Sequence, residues 1–259
     1  MSRFVHKKSL GQHFLKDVSI AERIVNAMLE SGYKGDLLEI GPGQGALTRL
    51  LRTYDQFDLH VNELDYTLYD SLSLEYALDD KHLIKGDFLT LNMAQLFPQG
   101  CAIIGNFPYN ISTQIVFHIL SYHAYVPVVV GMFQKEVAQR IASSHGSKVY
   151  GITSVLTQII YDVEYLFTVP PHVFDPPPKV ESGVIRMTRR SVPLVQQTEL
   201  FTKVVKAGFG QRRKTLRNAL KTLHLPVGWE QLPWLDKRAE QLSLDDFVKL
   251  TQQIKLITG

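Results

Sequence analysis

An α/β fold with a mostly parallel seven-stranded sheet, an antiparallel last strand and a small all-helical C-terminal domain is predicted by three observations. Short apolar runs alternate with helical ones through the first two-thirds of the chain, a glycine turn joins the first of these runs to the next helix, and strand-like segments stop after Pro193. Such alternation builds a parallel sheet covered by helices on both faces. The boundary near residue 193 divides the chain into domains 1–193 and 194–259.

The apolar runs place strands over 37–40, 59–62, 83–85, 102–105, 126–133, 163–169 and 182–188, with helices over 20–31, 46–53, 67–78, 112–122, 135–143 and 152–161 between them. The last two strands leave no room for a crossover helix and are therefore antiparallel, joined by a loop rich in proline (Pro170, Pro171, Pro176, Pro177, Pro178). Fixed proline φ angles make that loop stiff and non-helical. Beyond residue 193, helices are predicted over 199–208, 214–223, 237–241 and 244–257, with Asp236 and Ser243 as N-caps.

Composition excludes several function classes. With 259 residues, 45% hydrophobic and 20% charged, the chain holds one large core or one core and an appendage. No run reaches the roughly 18 apolar residues of a membrane span, and Met1-Ser2-Arg3-Phe4-Val5-His6 lacks the apolar stretch of a secretory signal, so a cytoplasmic location without a membrane partner is expected. The single cysteine, Cys101, falls in a strand and reads as core. The nine histidines show no metal-ligand spacing, and a metal-free site is expected. Net charge is only +3, yet the segment from Arg186 to Lys221 carries ten basic residues against one acid, Glu199. Charge runs are often solvated faces; a field concentrated in one region also recruits a polyanion.

Leu37-Leu38-Glu39-Ile40 runs into Gly41-Pro42-Gly43-Gln44-Gly45 and then a helix, the strand–turn–helix order of nucleotide sites. The pattern is Gly-x-Gly-x-Gly, not the Gly-x-Gly-x-x-Gly that brings a helix N-terminus up to a pyrophosphate, so a cofactor without phosphates fits it: S-adenosylmethionine. Glu63 ends the second strand, where a carboxylate can accept both ribose hydroxyls; Asp65 competes but can equally cap the next helix. Asp87, in Gly86-Asp87-Phe88, can accept from an adenine amine while Phe88 flanks the ring. Each acid singly is more often a capping or surface residue. Together Gly41, Glu63, Asp87 and Asn106 map to the C-terminal edge of the sheet, where open α/β folds bind ligands.

Asn106-Phe107-Pro108-Tyr109 follows the fourth strand. The N6 lone pair of adenine is delocalised into its ring, and two fixed acceptors holding both N6 hydrogens would aim it at a methyl donor. The Asn106 side-chain carbonyl is one such acceptor, the backbone carbonyl of Phe107 or Pro108 the other, and Tyr109 can stack on the base. In the C-terminal domain, Arg213, Arg217 and Lys221 recur every four residues as a basic stripe beside Arg212 and Lys214, while Leu216, Leu220 and Leu223 line a packing face. Arg3, Lys7 and Lys8 extend the basic footprint.

Four long segments, in order, carry a resemblance: Lys7-Lys8-Ser9-Leu10-Gly11-Gln12-His13-Phe14-Leu15; Asn106-Phe107-Pro108-Tyr109-Asn110-Ile111-Ser112; Val173-Phe174-Asp175-Pro176-Pro177-Pro178-Lys179-Val180-Glu181-Ser182; and Phe209-Gly210-Gln211-Arg212-Arg213-Lys214-Thr215-Leu216-Arg217-Asn218. Across essentially the whole chain it resembles the ribosomal small-subunit RNA adenine dimethyltransferases, the KsgA family. The resemblance implies a Rossmann-like class I methyltransferase fold and transfer of four methyl groups from S-adenosylmethionine to two adjacent adenosines in the 3′-terminal hairpin of small-subunit rRNA. It implies cofactor contacts at His13, Leu15, Gly41, Glu63, Asp87 and Asn106; the basic residues Arg212, Arg213, Lys214, Arg217 and Lys221, read from charge and spacing, are the expected rRNA contacts.

By composition Phe174 reads as a core plug; the matched loop makes it the second aromatic wall beside Tyr109. Phe107, where many relatives have Leu or Ile, is expected to alter the shape of the pocket. The chain is expected to act as a monomer. Competing readings are a large-subunit rRNA enzyme of the erythromycin-resistance type and a non-catalytic ribosome-assembly factor, with a DNA adenine methyltransferase more distant.

Overall fold

A computed structural model of the chain describes residues 11–192, 194 and 199–258. In chain order its main elements are β1 (Phe14–Leu15), α1 (Val18–Leu29), β2 (Gly35–Ile40), α2 (Thr48–Leu51), β3 (Phe57–Glu63), α3 (Tyr66–Tyr76), β4 (Leu83–Lys85), α4 (Met93–Leu96), β5 (Ala102–Asn106), α5 (Ser112–Ser121), β6 (Val128–Gln134), α6 (Lys135–Ala142), α7 (Ile152–Gln158), β7 (Tyr161–Val169), β8 (Phe174–Asp175), β9 (Ser182–Arg189), α8 (Glu199–Gly210), α9 (Leu216–Ala219) and α10 (Leu244–Thr258).

Seven strands form one sheet in the order β4-β3-β2-β5-β6-β9-β7. The pairs from β4 to β6 are parallel and β9 runs antiparallel to β6, with Val128 opposite Thr188. Leu37, Leu38, Ile103, Ile104, Val129 and Val130 are fully buried, as central parallel strands covered on both faces require. Each such side chain contributes about 1.5–3 kcal/mol by leaving water. One cover is α1, capped by Asp17, whose carboxylate accepts the Ile20 N–H at 3.2 Å, and buried along Ile20, Ile24 and Met28. Sequence order reverses direction between β2 and β5, the switch point at which such sheets leave a crevice beyond their C-terminal ends.

The chain packs as two compact units. One takes the described residues up to Ala138 together with Glu164–Arg189. The other takes Gln139–Val163 and the described residues from Arg190 onward. The segment Gln139–Val163 thus belongs to the second unit, whereas the sequence placed it in the 1–193 domain. Its aromatic anchor is the reason: Tyr150 is buried with its ring edge 5.8 Å from Phe209 of α8, which in turn stacks on Phe247 of α10. Pro193 lies outside the described residues.

Several elements are shorter than periodicity suggested. The helix expected over 214–223 is only α9, entered at Thr215, followed by one 3-10 stretch, Leu220–Leu223, and stopped by His224 at φ 49°. A 3-10 turn, Ala239–Gln241, replaces the helix at 237–241, and Asp236 binds Arg217 instead of capping it. Ser243 does cap α10: its hydroxyl accepts the Asp246 N–H, and the Asp246 carboxylate accepts the Ser243 N–H. The proline-rich loop contains a 3-10 turn, Pro171–Val173, and the unforeseen strand β8, paired antiparallel to β1. No helix among the described residues is long and apolar enough to cross a membrane.

Candidate functional site

A cavity of about 270 Å³ opens at the C-terminal ends of β2, β3 and β5. His13, Leu15, Gly41, Glu63, Asp87 and Asn106 all line it, as does Tyr109. The turn after β2 explains its shape. Gly43 sits at φ +59°, and a Cβ there would stand 2.7 Å from the Phe14 ring, so only glycine lets this backbone pass close beneath β1.

The acids are placed by their own strand ends. Glu63 closes β3 and is 6% exposed; its Oε1 accepts the Asp65 N–H at 2.8 Å, and burial raises its pKa despite the stabilising backbone N–H groups of Asp65 and Gly43. Asp65 caps α3 by accepting from Thr67 N–H at 3.0 Å and receives the Gln12 side-chain amide at 2.9 Å. Its carboxylate therefore serves the helix and the strap over the cavity. One oxygen of Asp87 accepts the Leu89 N–H at 2.9 Å, capping the 3-10 turn Phe88–Thr90.

Glu39 was not singled out in sequence, although an acid inside a buried apolar run directly before the glycine turn was a visible signal. It lines the same cavity, 1% exposed, and accepts the Thr48 hydroxyl at 2.6 Å. Burial pushes its pKa up to about 8, with the Thr48 bond opposing and the charge of Glu63 adding. Among the described residues the cavity is lined by Glu39, Glu63 and Asp87 and by no Lys or Arg. A ligand carrying a sulfonium and an ammonium fits this donor set.

At the acceptor side, Asn106 ends β5 and donates its side-chain N–H to the His13 carbonyl at 2.9 Å. The His13 Nδ1 lies 2.8 Å from the Pro176 carbonyl, and its ring stacks on Tyr109 with centroids 5.6 Å apart. The Tyr109 hydroxyl is 2.5 Å from Ser182 Oγ.

One expectation is corrected. Phe174 is fully buried and does not line the cavity. Pairing of β1 with β8 sets Leu15 opposite Phe174, and the ring packs in the core with Leu15 and Val173, so the core-plug alternative describes it. Phe107 is 1% exposed: its ring lies over paired Gly105 and Gly131, where an added Cβ would come within 2.8 and 2.4 Å of it, and meets Phe133 edge-on at 5.0 Å. The Phe107 ring therefore fills a slot in the sheet, and the residue also stands in the lining of the cavity.

In the C-terminal unit the basic residues divide into two groups. Arg212 is exposed but donates to the backbone carbonyls of Lys148 and Tyr150, and Arg217 donates to Asp236 and to the Glu230 carbonyl. Arg213, Lys214 and Lys221 stand exposed. With α9 so short, the regular stripe of Arg213, Arg217 and Lys221 does not form. Arg3, Lys7 and Lys8 lie outside the described residues.

Sequence spacing showed no cluster of metal-ligand type, yet folding brings the ligand atoms of Asp36, Asp58 and His60 within 4.8 Å of one another at the opposite edge of the sheet. Asp36 and Asp58 face each other across β2 and β3, and His60 Nε2 is 3.0 Å from Asp36.

The strand order, the glycine turn and the acid-lined cavity define a class I S-adenosylmethionine-dependent methyltransferase. The family "Ribosomal RNA adenine dimethylase" matches residues 3–255, and the chain belongs to it. The chain is similar to the ribosomal RNA small subunit methyltransferase A of Cytophaga hutchinsonii, 51% identical over 98% of this chain and 99% of that one. It is 50% identical to the protein of the same name from Flavobacterium johnsoniae, with 98% of each covered. Among solved structures, a dimethyladenosine transferase from Plasmodium falciparum superposes with a TM-score of 0.78 at 24% identity, covering 95% of this chain and 98% of that one. The 23S rRNA methyltransferase ErmE gives 0.70 at 22%, covering 93% and 99%. These two likenesses are of fold.

Proposed function

We propose that this chain transfers methyl groups from S-adenosylmethionine to N6 of two adjacent adenosines in the 3′-terminal hairpin of small-subunit rRNA, giving N6,N6-dimethyladenosine during assembly of the small ribosomal subunit in the cytoplasm. The observation that carries the reading is the orientation of Asn106. Its Nδ2 donates to the His13 carbonyl, which leaves its Oδ1 to accept from the target amine. The names and near-complete coverage of the small-subunit relatives support the choice of rRNA.

When bound, S-adenosylmethionine supplies an electrophilic methyl on sulfur. Glu63 would accept from its ribose hydroxyls, Asp87 from its adenine amine, and His13, Leu15 and Gly41 would enclose it. Asn106 Oδ1 accepts one N6 hydrogen of the target adenosine and a backbone carbonyl of Phe107 or Pro108 takes the other, which aims the lone pair and raises its nucleophilicity. Tyr109 offers the extruded base a ring face; with Phe174 in the core, it is the aromatic wall among the residues proposed. No general base is needed, because N6 becomes acidic once alkylated and releases its proton to solvent. Arg213, Lys214 and Lys221 hold rRNA phosphates, with Arg212 and Arg217 fixing the local backbone that presents them.

The reading is tested by supplying labelled S-adenosylmethionine with undermethylated small subunits, large subunits or duplex DNA. Label should enter the small subunits alone, as dimethyladenosine. Label confined to large subunits or DNA would overturn it.

A further inference from the structure

Ser182 lies 73 residues from Tyr109 in sequence, and the two hydroxyl oxygens meet at 2.5 Å. Ser182 opens β9, fully buried, with its Cα opposite Gln134 at the end of β6. A hydroxyl so deeply placed in a strand needs a partner. The Tyr109 phenol is that partner.

Tyr109 is held at three points. Its carbonyl accepts the Ser112 hydroxyl at 3.2 Å, one face of its ring rests on His13, and Ser182 holds its far end. The stack on His13 sets the plane of the ring. The third contact, at the end of the lever, fixes the swing of the ring about the Cα–Cβ bond, which carries the hydroxyl through the largest arc. Base stacking depends on that swing, because it decides how far the ring face overlaps the base.

We propose that Ser182 is a positioning residue for the methyl acceptor: through the Tyr109 hydroxyl it fixes where the ring on which the target base stacks is held. This rests on the reading of Tyr109 as the base's aromatic face. It also accounts for a polar residue at a buried strand position where alanine would pack equally well.

The test compares Ser182→Ala, Tyr109→Phe, their double variant and Tyr109→Ala in single-turnover methyl transfer to undermethylated small subunits. It adds S-adenosylmethionine affinity by calorimetry and the fluorescence of an rRNA hairpin carrying 2-aminopurine at the target position. Ser182→Ala and Tyr109→Phe should each slow transfer about tenfold and reduce stacking-induced quenching, with cofactor affinity changed less than about twofold. The double variant should be no slower than the slower single one, since both remove one interaction. Multiplicative losses in the double variant, or wild-type transfer by Tyr109→Phe, would overturn the proposal. If Ser182→Ala does not fold, Tyr109→Phe decides it alone through rate and quenching. Wild-type transfer by Tyr109→Ala would instead overturn the stacking role of Tyr109 itself.

Discussion

The Asn106 side-chain amide donates to the main-chain carbonyl of His13 at 2.9 Å, joining residues 93 positions apart. An amide without that bond could present either end to a substrate; with one N–H engaged by His13, the oxygen is the end proposed to meet the acceptor amine. Replacing Asn106 with Ala removes the acceptor as well as the tie to the strap. Transfer should fall by about 10²–10³ in kcat, the range for one preorganised polar group. Binding of small subunits, measured by filter retention, should stay close to wild type, because phosphate contacts lie elsewhere. Equal losses in binding and transfer would contradict this division.

If Glu63 holds the cofactor ribose as proposed, cofactor affinity should depend on pH. Burial raises its pKa above the ordinary carboxylate value, so in the free protein it takes up a proton more readily than an exposed acid. A ribose hydroxyl donating to Glu63 favours the ionised form, and binding must therefore expel that proton once it is present. Affinity for S-adenosylmethionine, measured calorimetrically, should decline as pH falls through the raised Glu63 pKa. Glu63→Gln should bind roughly 10–100-fold more weakly and lose that pH dependence, since a hydrogen bond to a charged group is replaced by one to a neutral amide.

Glu39 should make stability fall with rising pH. Its folded pKa of about 8, set chiefly by burial, exceeds the ordinary 4.5. Between those values the folded chain binds more protons than the unfolded one, so the stabilisation is complete at low pH and is lost as pH rises through about 8. Glu39→Gln keeps an acceptor for the Thr48 hydroxyl without an ionisable group. Its melting temperature should lack the part of the decline between about pH 5 and about pH 8 that wild type shows. Parallel curves for the two proteins would refute the assignment.

The legible parts of this molecule are those written in local pattern. The run 37–40 ending in glycines announces β2 and its turn, and Glu63, Asp87 and Asn106 each follow an apolar run, so the edge they share is written in the sequence pattern. What was not legible depends on pairings distant in sequence. Phe174 is buried where β8 pairs with β1 and sets it opposite Leu15, and β1 and β8 are too short to show any periodicity. Glu39 looked like one charge in an apolar strand until Thr48 came back over it. Periodicity saw a basic helix face through Arg217 but could not see Asp236, which holds that side chain.

That last difference yields a prediction about salt. A cation that neutralises an rRNA phosphate releases a counterion, so its removal lowers affinity and flattens the dependence of log K on log salt by roughly one. Lys214→Ala and Lys221→Ala, both exposed, should each do so. Arg217 is engaged by the Asp236 carboxylate at 3.0 and 3.1 Å and by the Glu230 carbonyl at 3.1 Å. Its charge is already partly neutralised, and its donors bridge two segments of the helical unit. Arg217→Ala should therefore leave the salt slope nearly unchanged while lowering the melting temperature, and Asp236→Asn should steepen the slope by freeing Arg217 for phosphate. Binding titrations of an rRNA hairpin at several salt concentrations, paired with thermal unfolding, separate the two roles; a full unit of slope lost in Arg217→Ala would make it a phosphate contact after all.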